Sequence, residues 1–148
     1  MKPEDNAYIT QGYGCTKYAR CGNKYGPYGG APHNGVDFSS GLGTPIKAIG
    51  AGQIVANGIN NSGWGNWIAI QHPNRMVSVY GHMSSFANLG IGAQVSAGQV
   101  IGYEGRTGKV TGSHLHLSLY REFFTYINAS GQLNFNYFDG TLNPLNYM

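Results

Sequence analysis

Short apolar runs separated by glycine and turn residues recur along the chain. Two of these runs, residues 66–72 and 75–80, are separated only by Pro73-Asn74, and this pattern predicts an antiparallel hairpin. Residues 83–89 are compatible with a single helical turn. Other short apolar runs lie at residues 8–10, 45–49, 52–56 and 94–102. We therefore expect an all-β fold built mainly from antiparallel sheets.

The composition supports an all-β interpretation. Charged residues make up only 10% of the chain, and the 24 glycines and 11 tyrosines exceed ordinary usage, which indicates many tight turns and an uncharged polar surface. A length of 148 residues is enough for one domain with its own core. We expect a single domain over residues 1–148, in which residues 1–7 form a tail or the end of a linker.

Charge and hydropathy exclude several classes of partner. The net charge of +3 is compatible with an anionic polymer as partner, but the basic residues are scattered and form no nucleic-acid-binding motif. No apolar run approaches the length of about 18 residues that a membrane helix needs. The first five residues are too acidic for a signal peptide. We expect no nucleic-acid partner, no transmembrane segment and a monomeric chain.

Two cysteines, Cys15 and Cys21, enclose a five-residue stretch that is followed by a tyrosine-rich loop. We expect a disulfide between them, with two free thiols as the alternative. Metal binding by these cysteines is disfavoured because no second pair of Cys or His residues lies at zinc-finger spacing.

Two separate stretches carry metal-binding side chains: residues 33–37, which begin with His33 and end with Asp37, and His114-Leu115-His116. Alternation along a strand places His114 and His116 on one face, with Leu115 on the other. His33 and Asp37 would lie about 13 Å apart in a straight strand, so the Asn34-Gly35 dipeptide is predicted to bend the chain between them.

Three motifs follow one another in order: His-x-x-x-Asp at residues 33–37, Tyr-Gly-His at residues 80–82, and Gly-x-Thr-Gly-x-x-Thr-Gly-x-His-Leu-His at residues 105–116. This set, within about residues 31–119, resembles the M23 zinc endopeptidases, the lysostaphin or LytM type of cell-wall peptidase. The resemblance implies one zinc ion per chain in a central cleft, with His33, Asp37 and His116 as ligands. It also implies that His82 and His114 are catalytic histidines outside the ligand set.

The resemblance fades beyond Tyr120, so we expect residues 120–148 to be a C-terminal extension containing an added hairpin. Leu117-Ser118 differs from the aromatic and acidic residues that the family often has after its His-Leu-His motif, and Arg106 stands where a small residue is commoner. These departures concern substrate preference. In the tyrosine-rich loop, Tyr25 or Tyr28 is a candidate donor to a developing oxyanion, with simple packing on the loop as the alternative.

The sequence offers no His-Glu-x-x-His motif, so a histidine must serve as the general base. His82 and His114 are the candidates, and the sequence does not decide which of them is the base. His72 precedes a proline turn, and we interpret it as a structural histidine. Two other functions fit parts of the pattern: a non-catalytic wall-binding or regulatory module, and a non-haem iron oxygenase with two histidines and one carboxylate.

The resemblance implies that the substrate is peptidoglycan, cleaved within stem peptides or cross-links. The target bond, either D-Ala to a diamino acid or a glycine bridge, stays open. Such a substrate implies action outside the cell or in the cell envelope, after secretion, in the periplasm or by phage delivery.

Overall fold

The computed structural model describes residues 1–15, 32–60, 63–108, 110–123, 125–127, 129, 131, 133–135 and 140–148. Strands dominate these residues, and the regular helix among them is a single 3₁₀ turn, Pro144–Asn146. The strands are β1 Tyr8–Gln11, β2 Val36–Ser39, β3 Pro45–Lys47, β4 Gly52–Asn60, β5 Gly65–Gln71, β6 Val77–Met83, β7 Ser85–Phe86, β8 Gln94–Val95, β9 Val100–Tyr103, β10 Leu115–Tyr120, β11 Thr125–Ile127, β12 Leu133–Phe135 and β13 Thr141–Leu142. The predicted all-β class is confirmed.

The principal sheet has the strand order β1-β2-β10-β6-β5-β4-β8, with β13 also beside β10. Its neighbouring strands are antiparallel. Strand β10 therefore lies between β2 and β6, although these three strands are far apart in sequence. The strands β3, β9 and β7 form a smaller antiparallel sheet.

Alternation along the strands separates two apolar clusters. Leu115, Leu117 and Ile68 belong to the larger cluster, while Ala69 and Val79 belong to the smaller one. The odd-numbered leucines of β10 point into the core, so the even-numbered residues of this strand are left to face its other side. The described residues contain no helix that is long and apolar enough to cross a membrane.

The predicted hairpin of residues 66–80 is confirmed as the β5–β6 pair, and the predicted C-terminal hairpin is confirmed as β11–β12. The 3₁₀ turn closes the chain, with the Asn143 side chain accepting from the Leu145 amide at 3.1 Å. Cys21, Tyr25 and Tyr28 lie outside the described residues, so the Cys15–Cys21 disulfide and the tyrosine donor stay predictions.

The prediction of a helical turn within residues 83–89 is wrong. Strand β6 continues to Met83, and β7 pairs with β9. The Ser84 amide donates to Tyr103 O at 2.9 Å, and the Ala87 amide donates to Ile101 O at 3.0 Å. Pairing with β9 thus takes the backbone donors that a helical turn would have used internally.

The first residues, which we expected to form a tail or linker, contact the sheets. The Lys47 amide donates to Pro3 O at 2.7 Å, and Glu4 is completely buried. Burial raises the pKa of Glu4 to about 9, with a further contribution from the neighbouring Glu104 carboxylate. Glu104 accepts hydrogen bonds from the Ser40 amide and the Ser113 hydroxyl. Glu4 is therefore protonated at neutral pH.

Glu4→Gln tests this protonation. The pKa of Glu4 rises from an ordinary 4.5 to about 9 on folding, so between these values the folded chain keeps a proton that the unfolded chain releases. Stability should fall as pH rises through this window, by up to about 1.4 kcal/mol per pH unit from this proton. Urea unfolding at pH 6 and pH 8.5 should show a smaller pH-dependent loss for Glu4→Gln than for the wild type.

Asp5→Asn is the matched control, because the Asp5 side chain is largely exposed and pairs with Lys47 at the surface. This variant should keep the wild-type pH dependence. Equal slopes for Glu4→Gln and the wild type would contradict the protonated state of Glu4.

Candidate metal centre

The first candidate stretch leads into the principal sheet. His33 pairs with Gly14 through two backbone hydrogen bonds of 2.8 Å, and Asp37 lies within β2. The chain bends between the two residues, as the Asn34-Gly35 dipeptide predicted, and His33 Nε2 lies 3.4 Å from Asp37 Oδ1. Both side chains therefore reach one point despite their spacing.

Gly35 permits this bend to lie directly against β10. A Cβ atom at Gly35 would lie 2.3 Å from Leu117 O and 2.8 Å from His116 Nε2. No larger residue fits there without moving the backbone of β10. The glycine is thus required by close approach of two segments that carry candidate ligands.

The pairing of β2 with β10 places His116 opposite Asp37. His116 Nδ1 lies 2.7 Å from Asp37 Oδ1, and one ligand atom from each of His33, Asp37 and His116 lies within 4.8 Å of the others. All three residues are buried. The structure therefore brings together the two imidazoles and the carboxylate singled out in the sequence.

The electrostatics of the cluster keep Asp37 ionised. Burial alone would raise the pKa of this carboxyl group, but hydrogen bonds and charge from His116 and His33 outweigh it and hold the pKa well below its usual range. The same burial lowers the pKa of His116. The cluster therefore offers an anionic oxygen and imidazole nitrogens to a cation.

His82 and His114 border this cluster. Their ring centroids are 4.7 Å apart, and His114 Nε2 lies 3.8 Å from Asp37 Oδ1. His114 and His116 thus approach the same carboxylate, as strand alternation predicted. His82 was expected just beyond the second hairpin strand, but it lies inside β6 with a φ of 63°, beside a register irregularity between β5 and β6.

Burial is the largest cause that lowers the pKa of His82 to about 3, followed by the charges of His116 and His114. His82 is therefore neutral at physiological pH. Its backbone amide donates to Trp64 O at 2.7 Å, and this bond supports the unusual backbone conformation.

Backbone carbonyls orient three of these histidines. Nδ1 donates to Gly12 O at 2.8 Å in His33, to Thr107 O at 2.7 Å in His82, and to Gly112 O at 3.2 Å in His114. A carbonyl only accepts, so each Nδ1 is protonated, and Nε2 is the nitrogen left for other contacts. For His33 this is the nitrogen that faces Asp37.

Thr107 and Trp64 also support the centre, although the sequence analysis gave neither a role. Thr107 Oγ1 accepts from the Asn66 amide at 2.9 Å and donates to Met83 O at 2.7 Å, so it joins the strands around His82. The Trp64 ring lies edge-on to His116 at 5.0 Å between centroids. Thr107 belongs to the glycine-rich motif, which was its available signal; no pattern marked Trp64.

His72 lies away from the centre, as expected. Its ring nitrogens contact Ala51 O and Ser78 Oγ, both at 2.8 Å. These two hydrogen bonds satisfy the ring locally.

The donor set fits a metal site of the catalytic type. Two imidazole nitrogens and one carboxylate oxygen are donors that both zinc and iron(II) accept. Three protein donors leave coordination positions for water or substrate, whereas structural zinc sites are closed by four. The fold and the site together define an antiparallel β-protein with an open, three-donor candidate metal centre.

Comparison with known proteins agrees with this class. The model of peptidase family M23 matches residues 31–129, and the chain belongs to this family. It is 40% identical over 119 residues to the glycyl-glycine endopeptidase ALE-1 of Staphylococcus capitis, covering 77% of this chain and 33% of the relative. It is 45% identical over 89 residues to the peptidoglycan DD-endopeptidase ShyA of Vibrio cholerae, covering 60% of this chain and 20% of the relative.

The fold is also similar to the crystallised catalytic domain of the antimicrobial peptidase lysostaphin from Staphylococcus simulans. The TM-score is 0.73 at 32% identity, with 97% of this chain and 92% of that chain covered. The chain spans a third or less of the length of the two curated relatives.

Thr107→Val probes the support of His82. The substitution keeps the side-chain shape but leaves the Asn66 amide and Met83 carbonyl without their hydroxyl partner, which should lower stability by about 1–3 kcal/mol. Thr107→Ser retains the hydroxyl and should lose less. Chemical denaturation of the two variants measures the difference, and equal losses would show that the hydroxyl bonds contribute nothing.

Proposed function

We propose that this chain is a zinc-dependent endopeptidase that hydrolyses peptide bonds in the stem peptides or cross-links of bacterial peptidoglycan. The observation that carries this proposal is the convergence of His33, Asp37 and His116 on one point, with two further histidines beside it, in a chain of family M23. The names of the relatives ALE-1 and ShyA support the substrate class.

In this proposal His33, Asp37 and His116 hold the zinc ion through Nε2, Oδ1 and Nδ1. Zinc bound there would supply a Lewis acid for the scissile carbonyl and a bound water of lowered pKa. Asp37 contributes the anionic ligand. The hydrogen bond from His33 Nδ1 to the Gly12 carbonyl keeps Nε2 of that ring directed to the centre.

Proton transfer falls to His82 and His114. Glu4 and Glu104, two of the three glutamates in the chain, are completely buried, and the third, Glu122, is exposed beyond the end of β10. The imidazoles at residues 82 and 114 are the groups beside the candidate ligands that can accept a proton and return it to the leaving amine. Which of the two is the base stays open.

The first test concerns the metal. The purified wild type should hold about one zinc per chain, measured by elemental analysis after mild dialysis. Asp37→Ala should lose it because the anionic ligand is removed, whereas Asp5→Ala, which removes an exposed carboxylate, should retain it. Iron with oxygen-dependent turnover would favour the oxygenase, and full zinc occupancy in Asp37→Ala would refute the ligand assignment.

The second test concerns the reaction. Mass spectrometry of purified peptidoglycan digested by the wild type should reveal new amine termini within stem peptides or bridges, and the fragment masses identify the bond. New reducing sugar ends would instead mean glycosidase activity. A zinc-loaded wild type that releases no fragments would favour a non-catalytic wall-binding module.

Replacing His82 or His114 separates chemistry from metal binding. Either residue changed to Ala should keep zinc, because neither is a proposed ligand, but should lower the cleavage rate by about 10²- to 10⁴-fold through loss of a proton carrier or polar contact. His116→Ala should lose zinc and activity together. Full activity in both His82→Ala and His114→Ala would rule out histidine-assisted chemistry.

A further inference from the structure

His116 is held differently from the other three histidines of the centre, His33, His82 and His114. Its Nδ1 faces Asp37, and its Nε2 lies 2.9 Å from the hydroxyl of Ser118. The other histidines use a backbone carbonyl at the nitrogen that points away from the centre. A hydroxyl both donates and accepts, so the contact with Ser118 alone does not fix which nitrogen of His116 is protonated.

A second hydrogen bond of Ser118 resolves this ambiguity. Ser118 Oγ lies 2.8 Å from Asn34 O, and a carbonyl oxygen only accepts. The single hydroxyl proton of Ser118 therefore goes to Asn34 O, and Ser118 Oγ must accept the Nε2–H of His116. Nδ1, which lies 2.7 Å from Asp37 Oδ1, is therefore the nitrogen left to face the centre and to bind a cation.

The surroundings shield this hydrogen-bond relay, which runs from His116 Nε2 through Ser118 Oγ to Asn34 O. Ser118 is completely buried, and Asn34 and His116 are nearly so, so water is a poor substitute for either bond. Gly35 closes the same side, where an added Cβ would lie 2.8 Å from His116 Nε2. Asn34 also belongs to the bend between His33 and Asp37, so the relay connects the ligand on β10 to the segment that carries the other two.

We propose that Ser118 is a positioning residue for the metal centre: it holds His116 with Nε2 protonated, so that Nδ1 is the metal-binding nitrogen. The inference rests on the metal binding in the proposed function and is independent of the substrate. Partners that fix the tautomer and ring orientation of a ligand histidine typically change metal affinity by about 10- to 100-fold when removed.

The zinc affinities of variants, measured by competition with a chromophoric chelator, test the role of the hydroxyl. Ser118→Ala should bind zinc about 10- to 100-fold more weakly than the wild type. Ser118→Thr keeps a hydroxyl at the same position and should recover most of the affinity. Wild-type affinity in Ser118→Ala, or a folded Ser118→Thr that binds as weakly as Ser118→Ala, would overturn the proposal.

Ser78→Ala is the matched control. Ser78 is also completely buried on the principal sheet, lies 2.8 Å from Nε2 of His72, and donates to Tyr80 Oη at 2.9 Å. Its loss should affect stability but leave zinc affinity unchanged. An equal loss of zinc affinity in Ser78→Ala would show that any buried serine of the sheet has the same effect, and would overturn a specific role for Ser118.

Nitrogen-15 NMR of the zinc-loaded wild type tests the tautomer without any substitution. The His116 ring should show a protonated Nε2 coupled to a slowly exchanging proton; a protonated Nδ1 would overturn the proposal. A wild type that binds no zinc would overturn both the metal centre and this inference, whereas zinc binding without peptidoglycan cleavage would overturn the proposed substrate alone.

Discussion

The register of three antiparallel strands determines the rest of the site. β10 pairs with β2 on one side and with β6 on the other, so that His116 lies opposite both Asp37 and Gly81. Because side chains alternate along a strand, a shift of one residue in either pairing would reverse which residues face the core. Leu115 and Leu117 are fully buried. Their burial stabilises the sheet and also fixes the face of β10 on which His116 lies.

Hydrogen bonds then fix the orientation of each histidine ring at the position that the strand register gives it. The acceptors for His33 and His82, Gly12 O and Thr107 O, come from segments distant in sequence. His116 contacts the nearby Ser118, whose own acceptor, Asn34 O, lies 84 residues away. A ring nitrogen that donates outward turns the other nitrogen of the ring toward the centre. The orientation of the histidine rings therefore depends on the segments that pack behind them as well as on the residues that face the centre.

Local patterns predicted what depends on neighbours in sequence. The β5–β6 hairpin, the bend at Asn34-Gly35 and the shared face of His114 and His116 follow from turn preferences and strand alternation, and the ordered motifs indicated the family. The φ of 63° at His82 and the strand at Ser85–Phe86 arise from contacts with Trp64 and β9, which no short-range pattern contains. Ser118 was noted only as a departure from the family, because its partner Asn34 lies 84 residues away.

Two buried carboxyl groups show why composition alone could not identify the anionic ligand. Asp37 is surrounded by imidazoles, which hold its pKa below the usual range despite its burial. Glu4 faces Glu104, and burial raises its pKa to about 9; its oxygens have no hydrogen-bond donor among the described residues. Similar burial thus leaves one acid charged and the other neutral, according to whether donors or another carboxylate lie opposite. Because the side chain of Glu104 already accepts hydrogen bonds from Ser40, Gly41 and Ser113, Asp37 is the carboxylate that the fold leaves available to a cation beside the histidines.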